Sequence, residues 1–248
     1  MNPFQSQNQR QQQQPGAWRA PDEQGWGALA QPTAAQVSLA ERLGFIRKVY
    51  ALFFLATLFA VGGVLLGFAF PPLMMLMARS PWITLLLMLG GVMGAQALRH
   101  VPGLNLVALF GFTTLTGVII SPVLWYFSQV NPASIIQAGL LTVGIFGGLT
   151  AYVFISQKDF SFLRGMMVTG LIVVVLAGLL NIFVASSALG FAVAAATLLL
   201  FSGFVLYDTS NIIRRYPTNE YVAGALSLYL DAFNIFLALL RILNAGRR

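Results

Sequence analysis

The sequence predicts an all-α integral membrane protein with seven transmembrane helices. Of its 248 residues, 58% are hydrophobic and only 8% are charged, whereas a soluble domain has about 25% charged residues. From residue 49 onward, long apolar runs alternate with short breaks, and about 20 helical residues suffice to cross a bilayer core. Because the connections are short, neighbouring helices are expected to pack antiparallel.

The composition also excludes several kinds of site. Cysteine is absent and His100 is the single histidine, so neither a cysteine nucleophile nor a zinc site is expected. We expect no cofactor. The net charge of +7 does not indicate nucleic-acid binding, because the cations flank apolar runs as the positive-inside rule predicts.

Residues 1–40 form a region of different composition, followed by the membrane domain, residues 41–248. The segment from Gln5 to Gln14 is mostly Gln, and prolines follow it. Such a segment has too little apolar surface to offset its ordering entropy and is expected to be disordered. It is either an inert tail or a handle for a partner such as a processive membrane protease.

The seven predicted spans follow from the apolar runs and their breaks. They cover residues 49–70, 82–98, 104–127, 134–155, 166–184, 188–213 and 222–243. The segment 39–50 predicts an amphipathic lead-in at the membrane surface. Closely spaced glycines, at 90 and 94, at 144 and 148, and at 62, 63 and 67, are expected to let helix backbones approach each other.

The distribution of Lys and Arg predicts the orientation. With seven spans, the tail and the loops after spans two, four and six share one side, and most cations lie there. That side is predicted to be cytoplasmic, which places the N-terminus in the cytoplasm. Arg247 and Arg248 favour the alternative that span seven is re-entrant and both termini are cytoplasmic.

Two carboxylates, Asp208 and Asp231, lie within predicted spans. A charge at bilayer depth is costly and usually faces a bundle interior or a water-filled path. At about 100° per residue, Asp231 shares one face of span seven with Ser227, Asn234 and Arg241. Such a polar stripe must be buried in protein, so span seven is predicted to be a central helix.

The hairpin formed by spans six and seven brings the two acids to nearly the same depth. Asp208 lies about six residues before the connecting loop and Asp231 about ten after it, a difference of about 6 Å. Close carboxyl groups in a dry environment tend to share a proton, so the pair would respond to pH in the neutral range. With both ionised, their repulsion opens a path or a divalent cation such as calcium binds between them.

Two arginines are candidates for a counter-charge to these acids. Arg241 lies about 15 Å along the helix from Asp231, too far for direct pairing. Arg99 ends span two on the predicted cytoplasmic side and is better placed. The alternative that each acid is simply hydrogen-bonded in the interior stays open. The predicted supporting polar groups are Asn211, Ser227 and Asn234.

An intramembrane aspartyl protease would also require two aspartates within the membrane. The Gly-x-Gly-Asp context typical of those proteases is absent, since Asp208 follows Val-Leu-Tyr and Asp231 follows Leu-Tyr-Leu. We therefore predict that the protein is not an enzyme.

The motifs around the acids resemble the signature of the Bax inhibitor-1 family, the transmembrane Bax-inhibitor-motif proteins. The matching runs extend from Tyr207 to Ile213 and from Leu228 to Arg241, with further similarity at 117–122, 158–163 and 181–183. The resemblance covers about residues 45–245 and is closest to the bacterial YccA-like branch.

This resemblance implies six helices around a central seventh and a location in the bacterial inner membrane. In members with both acids it implies a pH-sensitive calcium leak gated by a hydrogen-bonded aspartate pair, which falls on Asp208 and Asp231. The arginine that competes for one acid falls on Arg99. Calcium is then the permeant ion, with the two acids as its transient ligands. Some YccA-like members lack the acids and are modulators and substrates of a membrane-bound AAA+ metalloprotease, so this role stays open.

Overall fold

The computed structural model describes residues 32–245, and within them the chain is almost entirely helical. We number its α-helices in order as α1 Leu39–Ala69, α2 Pro71–Arg79, α3 Pro81–Ala97, α4 Leu104–Val130, α5 Pro132–Ser156, α6 Arg164–Val184, α7 Ser187–Arg214 and α8 Tyr221–Ala245. A short 3-10 turn, Ser161–Leu163, precedes α6. Residues 1–31 of the predicted tail lie outside the part of the chain that the structure describes.

Six helices of this part of the chain are long and apolar enough to cross a membrane, when the 3-10 turn is counted with α6. The pair α2 and α3 is bent by 98° and forms either a broken span or a re-entrant segment. Pro71 and Pro81 each begin their helix, where a missing N–H removes no helical hydrogen bond. The prediction of an all-helical, multi-pass membrane protein is confirmed, with six spans, or seven if the bent pair counts as one.

Helix α1 begins ten residues before the predicted first span. The Ser38 hydroxyl accepts the Glu41 N–H at 3.3 Å, and the Glu41 carboxylate accepts the Ser38 N–H at 3.2 Å. This reciprocal cap satisfies two amides that a helix start leaves open. The segment 39–50, predicted to be an amphipathic lead-in, is therefore the first part of the helix that forms the first span.

Residues 33–38, which we call the N-terminal strap, fold against the α7–α8 connection. Thr33 forms an isolated β-bridge with Pro217. The Ala34 N–H donates to the Tyr216 carbonyl at 2.9 Å, and Ala34 is fully buried. These residues lie within the segment that the composition assigned to the tail, and here they pack against the membrane domain.

The two ends of the bundle differ in charge. At what we call the basic end, the strap meets the connections that follow α3, α5 and α7. His100 Nδ1 lies 3.8 Å from the Glu220 carboxylate, and Arg215 forms an ion pair with Asp159 at 2.6 Å, so these connections contact one another. At the opposite, far end, Asn131 Nδ2 donates to Asn244 Oδ1 at 2.8 Å, which ties the α4–α5 turn to the end of α8.

Helix α8 is the most enclosed of the candidate spans. It packs against α1, α4, α5 and α7, and 50% of its apolar window is buried, compared with 6% for the span that contains α6. Helix α6 lies against α7 instead. The polar stripe predicted on the last span therefore lies on α8, the candidate span that the rest of the protein buries most.

The closest helix contact joins α1 to α4 through small residues. A Cβ added at Gly117 would collide with the Ala60 carbonyl, and one added at Gly63 with the Thr114 carbonyl. The two backbones therefore touch, as small residues permit in membrane proteins. The glycine pairs predicted to mediate contacts elsewhere face open space, so that prediction is wrong for Gly90, Gly94, Gly144 and Gly148.

The contact between α1 and α4 generates the first prediction. Gly117→Ala should destabilise the protein by about 1–3 kcal/mol, because the added methyl overpacks the contact with Ala60. Gly111→Ala, on the same helix but with open space around its Cβ position, is the matched control and should be neutral or slightly stabilising. Thermal unfolding in detergent measures both, and equal stability of the two variants would contradict the close contact.

Candidate functional site

The structure brings Asp208 and Asp231 together on adjacent helices. Asp208 lies on α7, near its end at the basic end of the bundle, and Asp231 lies on the facing helix α8. The carboxyl groups are close enough to interact electrostatically. Asp231 is only 2% exposed, whereas Asp208 is partly buried. The hairpin geometry inferred from the sequence therefore matches the arrangement in the structure.

The carboxyl group of Asp231 is poorly satisfied. Its Oδ2 atom is buried and has no hydrogen-bond partner among the described residues. The nearby Asn234 amide donates to the Leu230 carbonyl at 2.8 Å within its own helix, so it does not serve the acid. Burial of a polar group without a partner costs free energy, and such local costs are typical of functional sites.

Tyr216 connects the strap, α8 and Asp208. Its hydroxyl shares a 3.2 Å hydrogen bond with the Ser227 hydroxyl, and its carbonyl accepts the Ala34 N–H. Burial, followed by the nearby charge of Asp208, raises the pKa of Tyr216 to about 12. Ser227, predicted to support the acids, forms its side-chain hydrogen bond with Tyr216 and not with either acid. No sequence pattern singled out Tyr216, because a tyrosine in a basic loop has no distinguishing context.

Arg99 lies close to this region without contacting either acid. Its Nε atom donates to His100 Nε2 at 2.9 Å, and Nη1 donates to Gln96 Oε1 at 3.4 Å. Within residues 32–245 it forms no ion pair with a carboxylate. It is nevertheless near enough to Tyr216 for its charge to act on the phenol. The predicted counter-charge is thus at the right end of the bundle but is not paired with an acid here.

Asn211 shapes the end of α7 through its main chain. It is buried, and its carbonyl accepts the N–H groups of Arg215 at 2.7 Å and Tyr216 at 3.0 Å. Because one carbonyl accepts both N–H groups, the chain turns at the end of α7 and Tyr216 lies beside Ser227. Across the described residues, no side chain of the three predicted supporting groups hydrogen-bonds to either acid.

Three buried hydroxyl groups in the interior of the bundle were not singled out from the sequence. They belong to Tyr50 on α1, Thr150 on α5 and Thr209 on α7, and they lie near one another. They join three helices at a second polar position in the interior, and Thr209 follows Asp208 directly in the chain.

The α5–α6 connection is fastened across the end of α7. The Ser161 N–H donates to Asp159 Oδ1 at 2.9 Å, and Arg215 pairs with Oδ2 of the same carboxylate at 2.6 Å. These contacts, the N–H first, lower the pKa of Asp159. The Phe160 N–H also donates to the Ser210 hydroxyl at 3.2 Å. The helix that carries Asp208 is therefore held at its end by a separate loop.

The acid pair alone does not make a closed metal site. No group of three or more His, Cys, Asp or Glu side chains occurs within residues 32–245. Two carboxylates offer four oxygen atoms, fewer than the six to eight that calcium takes. A calcium ion at this position would need water or carbonyl oxygens as further ligands.

Apolar helices that enclose an acid pair and several hydroxyl groups are typical of a multi-pass membrane protein with a polar site in its interior. Residues 42–248 match the family model described as inhibitor of apoptosis-promoting Bax1. The chain therefore belongs to the Bax inhibitor-1 family, as its motifs indicated.

Relatives that match this chain include proteins of an animal, a fungus and a bacterium. Protein lifeguard 4 of Mus musculus is 35% identical over 214 residues, which cover 85% of this chain and 89% of that protein. Bax inhibitor 1 of Schizosaccharomyces pombe is 33% identical over 222 residues, 85% of this chain and 79% of that protein. An uncharacterized protein of Campylobacter jejuni is 38% identical over 205 residues, 81% of this chain and 88% of that protein.

The environment of Asp231 yields a prediction about stability. Asp231→Leu should raise the free energy of unfolding by about 1–3 kcal/mol, because it removes a buried acceptor that has no partner. Asp231→Asn keeps a polar group at the same position, so its free energy of unfolding should rise by less than that of Asp231→Leu. Thermal unfolding of the purified variants in detergent makes the comparison, and a leucine variant less stable than wild type would show that the carboxyl group is satisfied.

Proposed function

We propose that this protein is a pH-sensitive calcium leak channel of the bacterial inner membrane, gated by Asp208 and Asp231. The observation that carries the proposal is the interacting acid pair on α7 and α8, with Asp231 buried and its Oδ2 atom without a partner in the described chain. Membership of the Bax inhibitor-1 family supports a multi-pass membrane protein of this kind. The protein then acts by passing an ion and not as an enzyme.

In the proposed architecture, the bent pair α2 and α3 counts as the second of seven spans, and α8 is the central seventh. The large buried fraction of α8 and its contacts with four other helices support this arrangement. The basic end faces the cytoplasm, because cations concentrate there. The N-terminus is then cytoplasmic, and the acid pair lies nearer the cytoplasmic face.

The gate works through the protonation of the acid pair. At acid pH the two carboxyl groups share a proton and stay together, because two charges in a dry site repel each other strongly. As pH rises and both ionise, they separate or accept a calcium ion between them. Tyr216, bonded to Ser227 and close to Asp208, is the residue that must move with them at the basic end.

Arg99 is the proposed counter-charge in this cycle. Its side-chain hydrogen bonds go to His100 and Gln96, and neither partner is a carboxylate. A fully ionised Asp208 would attract a guanidinium more strongly than these groups do. Arg99 then approaches Asp208 as the pair loses its proton and limits the repulsion.

Calcium flux into proteoliposomes tests the gate. Flux through the wild-type protein should rise between about pH 6 and about pH 8, as the shared proton is lost. Asp208→Asn and Asp231→Asn should remove this pH dependence. Glu41→Gln is the matched control, since Glu41 is an exposed acid at the start of α1 and Gln keeps an oxygen that accepts the Ser38 N–H, and it should leave the pH profile unchanged. A wild-type profile in both gate variants would rule out the mechanism.

A second candidate function is modulation of, or degradation by, a membrane-bound AAA+ metalloprotease. The Gln-rich composition of the chain before Thr33 favours it, because such segments offer an unfolded starting point to a processive enzyme. The YccA-like resemblance of the sequence points the same way.

Deletion of residues 2–31, which leaves the strap intact, tests this second function. The shortened protein should have a longer cellular half-life, because the protease loses its starting point. A deletion that also removes residues 32–38 is a poor test, since it would expose the α7–α8 connection that the strap covers. An unchanged half-life in the shorter deletion would exclude the tail as a protease handle. The flux experiment is unaffected by either result.

A further inference from the structure

Two cavities at the far end of the bundle share a wall. The first has a volume of about 380 Å³ and lies between α3, α4 and α8, with mostly apolar side chains around it. The second has a volume of about 670 Å³ and is lined by polar and apolar groups in about equal measure, from the α4–α5 and α6–α7 turns and the end of α8. Arg241 and Ile182 line both cavities. We call the first cavity the apolar chamber and the second the polar chamber, and the Arg241 guanidinium lies where the two meet.

Arg241 has a charge that the described chain does not neutralise. It is exposed, lies in the last turns of α8, and forms no ion pair or side-chain hydrogen bond within residues 32–245. The carboxylates of this part of the chain lie elsewhere, at the basic end or in the acid pair. A guanidinium carries five donors and no acceptor, so an anionic group from outside the described residues is the complement that this position lacks.

Asn181 supplies a second donor in the polar chamber. Its Oδ1 atom accepts the Ser186 N–H at 3.1 Å, and Asn181 lines the same cavity as Arg241. The oxygen is thereby fixed, and the Nδ2 amide has no acceptor among the residues the structure describes. Arg241 and Asn181 thus present N–H groups to one space, an arrangement suited to phosphate oxygens.

Aromatic residues locate these cavities at the membrane interface. Trp82 lines the apolar chamber and Tyr126 lines the polar chamber, and both are more than half exposed. Tryptophan and tyrosine concentrate where lipid headgroups meet acyl chains. The polar chamber then lies at headgroup level, and the apolar chamber lies at the level of the first acyl carbons.

We propose that the far end of this protein binds one phospholipid with an anionic headgroup. The phosphate contacts Arg241 and the Asn181 amide in the polar chamber, and the first part of one acyl chain enters the apolar chamber beside Val123 and Met88. The shared wall formed by Arg241 and Ile182 lies at the junction of headgroup and chain. This site is separate from the acid pair and does not depend on the proposed calcium leak.

Native mass spectrometry of the purified protein in detergent tests the headgroup contact. Phosphatidylglycerol should bind in preference to phosphatidylcholine, and Arg241→Gln should weaken phosphatidylglycerol binding about tenfold, as expected for loss of one charged hydrogen bond. Arg241→Lys should retain part of the affinity. Arg79→Gln is the matched control, since Arg79 ends α2 and lines neither cavity. Equal losses in Arg241→Gln and Arg79→Gln, or no loss in either, would overturn the site.

A second pair of variants tests the acyl chain. Val123→Phe narrows the apolar chamber and should weaken phosphatidylglycerol binding severalfold, because the chain loses buried contact. Val107→Phe, on the same helix but outside both cavity walls and 67% exposed, should bind as the wild type does. Equal binding by both variants would place the chain elsewhere. Glycerol phosphate that competes as well as the whole lipid would show an anion site only, and would also overturn the proposal.

Discussion

Burial of the Asp231 carboxyl group inside an apolar helix bundle is the constraint on which the rest of the structure depends. A carboxyl group in such a place is tolerated only when protein surrounds it and other polar groups share its environment. Helix α8 meets this condition by packing against four other helices. The neighbouring acid on α7, Asp208, shares this interior position with it.

The basic end of the bundle is closed by several contacts that meet at α7. The α5–α6 connection is fastened through Asp159 and Phe160, and the strap is fastened through the Tyr216 carbonyl. Individually such surface contacts contribute little, about 0–1 kcal/mol for an exposed ion pair. Together they fix the end of the helix that carries Asp208, so the depth of one acid relative to the other is set from outside the membrane.

The sequence predicted the parts of this structure that have strong physical signals. The spans followed from hydrophobicity, and the pairing of Asp208 with Asp231 followed from counting residues across one hairpin. Contacts that depend on three-dimensional packing gave no comparable signal. The glycine pairs on α3 and α5 have helical spacing but face open space, whereas Gly117 on α4 lies directly against Ala60. Tyr216 and the strap were missed because each acquires its role only from a partner distant in sequence.

The strap has a mechanical consequence. Ala34 is fully buried and is hydrogen-bonded to the chain beside Asp208, at the Tyr216 carbonyl. A force applied to the chain before Thr33 therefore acts on this hydrogen bond before it acts on any helix of the bundle. Because Tyr216 also bonds to Ser227 on α8, tension applied from outside the membrane is delivered to the hairpin that carries both acids.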